Sequence, residues 1–162
     1  MRSGLWGANP MPVQFPNWWS APVAAQVEQW VAANSGAFPA NTVLYHGTNQ
    51  AFHTQVTGFN GNEAAWVLAF FQHNLGGTAH AGAGIYGADS LAQAQGYGAW
   101  VMKTLPSSLG RTRYIDVRNG QRPPLPGALT PQDVLRYGYR CVLRYTQNYY
   151  AVKDHRVEWE PN

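Results

Sequence analysis

Short β-branched and aromatic runs fill the second half of this chain, while its clearest helical stripe lies near the start. That order constrains the fold more than any other feature. Val23, Val27, Trp30 and Val31 recur on one helical face behind Ser20, a capping residue, with Pro22 in the first turn. Asn34-Ser35-Gly36 ends that helix, and Thr42 to Tyr45 reads as a strand leading into His46-Gly47. Ile85-Tyr86, Trp100 to Leu105 and Tyr114 to Val117 read as further strands. Cys141 to Tyr145 and Tyr149 to Lys153 read as a hairpin around Thr146-Gln147-Asn148. Asn62 is placed to cap a helix through Trp66 and Phe71, although the same apolar run reads equally as a buried strand. Asp89 or Ser90 caps a helix reaching Tyr97, Pro106 to Gly110 reads as a turn, and Thr130-Pro131 starts a helix that Gly138 stops. An early helix followed by concentrated strands argues for α+β rather than a doubly wound parallel sheet.

At 162 residues the chain is most simply one domain, spanning 20–162 behind a leader or linker at 1–19 that is rich in proline and tryptophan. Charged residues are few, 12% against 14% aromatics, which is the composition of a globular chain. The net charge of +3 is scattered, so charge gives no nucleic-acid-binding arm. The single cysteine, Cys141, excludes an intrachain disulfide and sits in an apolar run as a buried thiol. No 18-residue apolar run predicts a membrane span, and no signal peptide is evident. The expected location is the cytoplasm, or delivery as part of a larger secreted protein.

Two segments carry the chemistry: Tyr45-His46-Gly47-Thr48, and Gly84-Ile85-Tyr86-Gly87-Ala88-Asp89 running on to Tyr97. An isolated histidine at a strand end ordinarily bonds neighbouring backbone. Gly47 beside it lets a ligand approach the main chain, whose amide and carbonyl suit a primary carboxamide. Tyr86 and Tyr97 read either as core aromatics or as two sides of a clamp for a flat ring. His53, His73, His80 and His155 show no metal-ligand spacing and read as surface residues. Ser107 and Ser108 lack a nucleophile-elbow setting, and Asp116 and Asp154 form no paired-carboxylate pattern. No glycine-rich dinucleotide fingerprint follows a strand.

Tyr45-His46-Gly47-Thr48 resembles the His-Gly-Ser/Thr motif of ADP-ribosyltransferases related to diphtheria toxin and the poly(ADP-ribose) polymerases. Gly84-Ile85-Tyr86-Gly87-Ala88-Asp89 resembles that family's Gly-Ile-Tyr-Phe-Ala-Asp segment, and Tyr97 falls at its second tyrosine, eleven residues after the first. The resemblance extends over roughly residues 41–155 and implies an α+β fold with a split, mostly antiparallel sheet and flanking helices. It implies NAD as co-substrate, without metal, contacted by His46, Gly47, Thr48, Tyr86, Ala88 and Tyr97. His46 would bond the adenosine ribose, Gly47 the nicotinamide carboxamide, and Thr48 the adenosine side, with Tyr86 and Tyr97 on the nicotinamide ring. Ala94 stands where the family often has a serine, and Gly87 replaces a usual phenylalanine.

The family's third element is a glutamate at the start of a late strand. Asn148-Tyr149-Tyr150-Ala151-Val152-Lys153 matches that place and offers Asn148, which is neutral and no useful base. Three explanations stand: a transferase that needs no glutamate there; a carboxylate from Glu158 or Glu160, otherwise exposed tail charges, with Glu63 more remote; or a silent NAD- or ADP-ribose-binding module. The expected function is mono-ADP-ribosyl transfer from NAD to a protein or nucleic-acid acceptor, releasing nicotinamide, in a toxin or effector domain with a neutralising partner protein and no membrane partner. The alternatives are the silent module, an NAD glycohydrolase, and an RNA 2′-phosphotransferase whose additional basic and histidine motifs are not found. The Gly76-to-Gly84 loop is the expected determinant of the acceptor.

Overall fold

The computed structural model describes residues 14–49, 80–124, 129–137 and 140–162. The segment after Asn62, the first residues of the glycine-rich loop and the Gly138 stop lie outside the described residues, as do Glu63, His53 and His73.

Helix α1 (Ala21–Asn34) begins where Ser20 Oγ accepts from the Val23 amide at 3.4 Å, and Val27 and Val31 are its fully buried face. Strand β1 (Gly36–Ala37) follows, then β2 (Tyr45–Thr48) and β3 (Ile85–Ala88). Helix α2 (Leu91–Gln95) is capped by Ser90 and ends before Tyr97. After β4 (Trp100–Thr104), the expected turn at Pro106 is a single helical turn, α3 (Pro106–Leu109). Strand β5 (Arg113–Asp116) precedes α4 (Pro131–Arg136), where Thr130 and Asp133 form a reciprocal capping box. Strands β6 (Cys141–Arg144) and β7 (Tyr149–Val152) make the expected hairpin, and β8 (Trp159–Pro161) closes the described chain.

The eight strands among the described residues form one sheet in the order β1-β5-β6-β7-β3-β2-β4-β8. Among the described residues, only β5 and β6 run parallel, joined by the crossover that contains α4; the remaining pairings are antiparallel. The class is therefore a mixed α/β architecture with a mostly antiparallel sheet, consistent with the α+β expectation. One core cluster joins Val27 and Val31 to Ile85, Ile115, Val142, Val152 and Trp159. The end of the expected leader takes part in it: Trp19 is buried and stacks on Phe15 with ring centres 5.3 Å apart.

Three local expectations change. His46 and Gly47 lie inside a strand rather than beyond its end, because β4 pairs with all four residues of β2. The terminal segment is an edge strand rather than a tail, with Trp159 and Glu158 both buried. His155 is mostly enclosed rather than a surface group, and burial draws its pKa below the ordinary imidazole value. Cys141 is buried as expected, and burial pushes its thiol well up.

Candidate functional site

A split in the sheet positions the site. Strand β2 keeps β4 along its whole length and β3 keeps β7, but β2 and β3 touch in register only at Tyr45 and Ala88. The Leu44 carbonyl accepts from the Thr104 amide, so residues 44, 46 and 48 aim their main chain at β4 while Tyr45 and Gly47 aim theirs at β3. Val101, opposite Gly47, agrees: its carbonyl accepts from Asn162 on the far side. Past Tyr45 no β3 residue is in register, so the Gly47 amide and carbonyl face the opening between the strands.

Gly47 is needed for a reason that its motif alone does not reveal. A Cβ there would lie 1.8 Å from the Ala94 carbonyl oxygen, so the end of α2 already fills the space a side chain would use. Gly98 repeats this against the Thr48 carbonyl at 2.3 Å. The segment from Ala94 to Gly98 thus lies flat on β2. A ligand can therefore meet Gly47 only along its main-chain edge, not over its α-carbon.

Beside this edge lies a cavity of about 230 Å³ walled largely by aromatic rings. The Tyr86 hydroxyl donates to the Gly82 carbonyl at 2.6 Å and accepts from the Ala81 amide at 2.8 Å, which fixes the ring as a wall. Tyr145 meets it edge-on at 5.6 Å, His80 stacks on Tyr145 at 5.0 Å, and Tyr149 also stacks on Tyr145 at 6.4 Å. Tyr97 meets Tyr149 edge-on at 6.1 Å and is 64% exposed, an outer flap. Burial raises the pKa of Tyr86 and Tyr145, and burial followed by the Tyr97 hydrogen bond raises that of Tyr149. These phenols stay neutral at physiological pH, so the wall presents uncharged π faces.

His46 sits across the split. Its Nδ1 lies 2.6 Å from the Tyr86 carbonyl, and a carbonyl only accepts, so Nδ1 carries the proton. Its ring meets Trp159 edge-on at 6.1 Å. Strand alternation places His46 on the sheet face opposite Gly47, yet it still lines the cavity. Ala88 lines the cavity as well, between Tyr45 and Tyr149 in the ladder. Thr48 is buried opposite Trp100 and is not part of the lining.

Asn148 is placed differently from the sequence expectation. Tyr86 pairs with Ala151 and Ala88 with Tyr149, so Tyr149 shares the cavity face and Asn148, one residue earlier, projects to the other. There its Nδ2 donates to Asp89 Oδ1 at 2.9 Å, and Asp89 Oδ2 accepts from the Tyr150 hydroxyl at 3.2 Å. The residue that β7 offers the cavity is Tyr149. Glu158 and Glu160 are not in the lining either: Glu158 is buried against Arg111 at 2.9 Å, and Glu160 faces Lys103 at 3.9 Å on the outer strand.

No family model, curated protein or solved structure matches this chain. The site's capability therefore follows from its own geometry. Among the described residues, no three of His, Cys, Asp or Glu gather as a metal would require, and no carboxylate lines the cavity. No described helix is long and apolar enough to cross a membrane. What remains is an amide-sized main-chain edge next to neutral rings, suited to a flat ligand bearing a carboxamide. His80, Tyr145 and Tyr149 were missed as site residues. The alternation of β7 was the available signal for Tyr149, but using it requires the register against β3.

Proposed function

We propose that this chain is an NAD-dependent mono-ADP-ribosyltransferase of the diphtheria-toxin and poly(ADP-ribose) polymerase kind, with its split sheet read as that family's fold. The observation that carries the reading is the Gly47 main-chain edge opening onto the rings of Tyr86, Tyr149 and Tyr97. The nicotinamide carboxamide needs one donor and one acceptor, which that edge supplies. Its cationic ring gains about 0.5–2 kcal/mol from the aromatic faces. His46, across the split, is left for the remainder of the dinucleotide.

In the reaction, the bond between ribose C1′ and the ring nitrogen breaks, its electron pair stays with nicotinamide, and positive charge passes to the ribose. The acceptor's nucleophile then bonds to C1′ and gives its proton to solvent water. The lining rings and the Gly47 edge hold the nicotinamide in place for this step. No carboxylate that would steady the ribose cation is among the described lining residues. Tyr149 at that position favours a second reading, a silent NAD- or ADP-ribose-binding module.

Incubation with tagged NAD, with and without cell extract, separates these readings. Nicotinamide release accompanied by labelled protein or nucleic acid is expected for the transferase. Release without a labelled macromolecule identifies an NAD glycohydrolase. No release under either condition overturns catalysis, and NAD binding measured in the same sample then favours the silent module.

A further inference from the structure

A second cavity of about 230 Å³ lies beside the first, and the two share His80 and Tyr145. Both lie on one face of the sheet, since Lys153 continues the alternation of Tyr149 and Ala151, and Leu143 pairs with Ala151. Its chemistry differs from that of its neighbour. Val117 and Leu143 give it an apolar floor, whereas Arg122 and Lys153 bring two cationic side chains to its wall. No carboxylate occurs among its described lining residues.

Both cations are held in place. Lys153 is 1% exposed, and its Nζ donates to the Ala83 carbonyl at 2.8 Å. Burial pulls its pKa down to about 8, so an anion arriving beside it would be bound by an amine already dehydrated. Arg122 arches over its own loop, with Nη1 donating to the Gln121 and Val117 carbonyls at 3.0 and 3.3 Å. Both bonds use one nitrogen of a fork that has five donors. The partition is also shared. The Tyr86 hydroxyl, whose ring walls the first cavity, pins Ala81 and Gly82 in the wall of the second.

We propose that this second cavity binds a small amphiphilic anion, its phosphate or carboxylate held by Arg122 and Lys153 and its apolar body resting on Val117 and Leu143. The proposal does not depend on what occupies the first cavity. Charge-assisted hydrogen bonds are the strong ones, and Arg suits planar or tetrahedral oxyanions through its fork.

Phenyl phosphate is a suitable probe, with benzyl alcohol as the uncharged control, titrated calorimetrically into the intact protein. Saturable binding of the phosphate but not the alcohol is expected, weakened about tenfold or more in Arg122→Gln. Arg122 is exposed and bonds only main-chain carbonyls in its own loop, so this variant keeps the fold. Lys153→Met should weaken binding similarly where its melting curve remains cooperative. Nicotinamide binding, measured in parallel, should be unchanged in Arg122→Gln. Absence of saturable binding, or equal binding to wild type and Arg122→Gln, overturns the proposal. Either result leaves the nicotinamide measurement standing, so the two cavities fail separately.

Discussion

The two faces of the β3–β7 ladder are built from alternate residues of the same two strands, yet they end in opposite chemistry. On one face Asp89, Asn148 and Tyr150 satisfy one another, and the Arg144 guanidinium lies 5.4 Å over the Tyr150 ring. Burial, and then the Asp89 carboxylate, push the Tyr150 phenol up to about 12, which keeps it a hydrogen-bond donor. On the other face Tyr86 and Tyr149, with the small Ala88 between them, leave π surface exposed to a cavity. A polar cluster that closes on itself locks a hairpin, whereas a ring with a pinned hydroxyl, as Tyr86 has, and an open face makes a binding surface. The same contrast explains why a carboxylate at Asp89 is not a catalytic candidate: its oxygens are used within the lock.

Substitutions can break or sharpen that contrast. The largest effect should follow Gly47→Val, which drives a side chain into the Ala94 carbonyl and displaces α2. It should cost about 1–3 kcal/mol or more in denaturant unfolding and abolish nicotinamide binding by titration. Tyr86→Ala removes the wall and releases Ala81 and Gly82; binding should weaken by about 2 kcal/mol or more. A paired test then addresses the faces directly. Tyr149→Ala should weaken nicotinamide binding by about 1 kcal/mol with little change in melting temperature. Asn148→Ala should instead cost about 1 kcal/mol of stability and leave binding unchanged. The reverse pattern would mean that the two faces are exchanged. Glutamate gives the same comparison in chemistry: Tyr149→Glu should raise NAD hydrolysis, and Asn148→Glu should not. Tyr97→Ala should be the mildest, about 0.5 kcal/mol in binding, because the ring is mostly in solvent already.

Much of the fold was legible because its signals are local. Ser20 and Pro22 announce α1, Thr130-Pro131 announces α4, and the β6–β7 hairpin follows from two strand-forming runs around Thr146-Gln147-Asn148. The last strand was missed although Val157-Glu158-Trp159-Glu160 alternates, because two glutamates in a terminal segment read as solvent-facing. Glu158 is buried where Arg111 donates to its carboxylate and the Ser108 hydroxyl accepts from its amide, both residues on or next to α3. No local pattern announces such partners.

In the site, sequence alone determined which groups are available: a glycine flanked by His46, a tyrosine eleven residues before another, and a late aromatic strand. Tertiary structure decided how they are used. It set the Ala94 carbonyl over Gly47, opened β2 from β3 beyond Tyr45, and paired Ala88 with Tyr149 rather than with Asn148. The physical reason is the two-residue period of a strand. A shift of one position moves a side chain to the opposite face, and only pairing with a neighbouring strand selects between them.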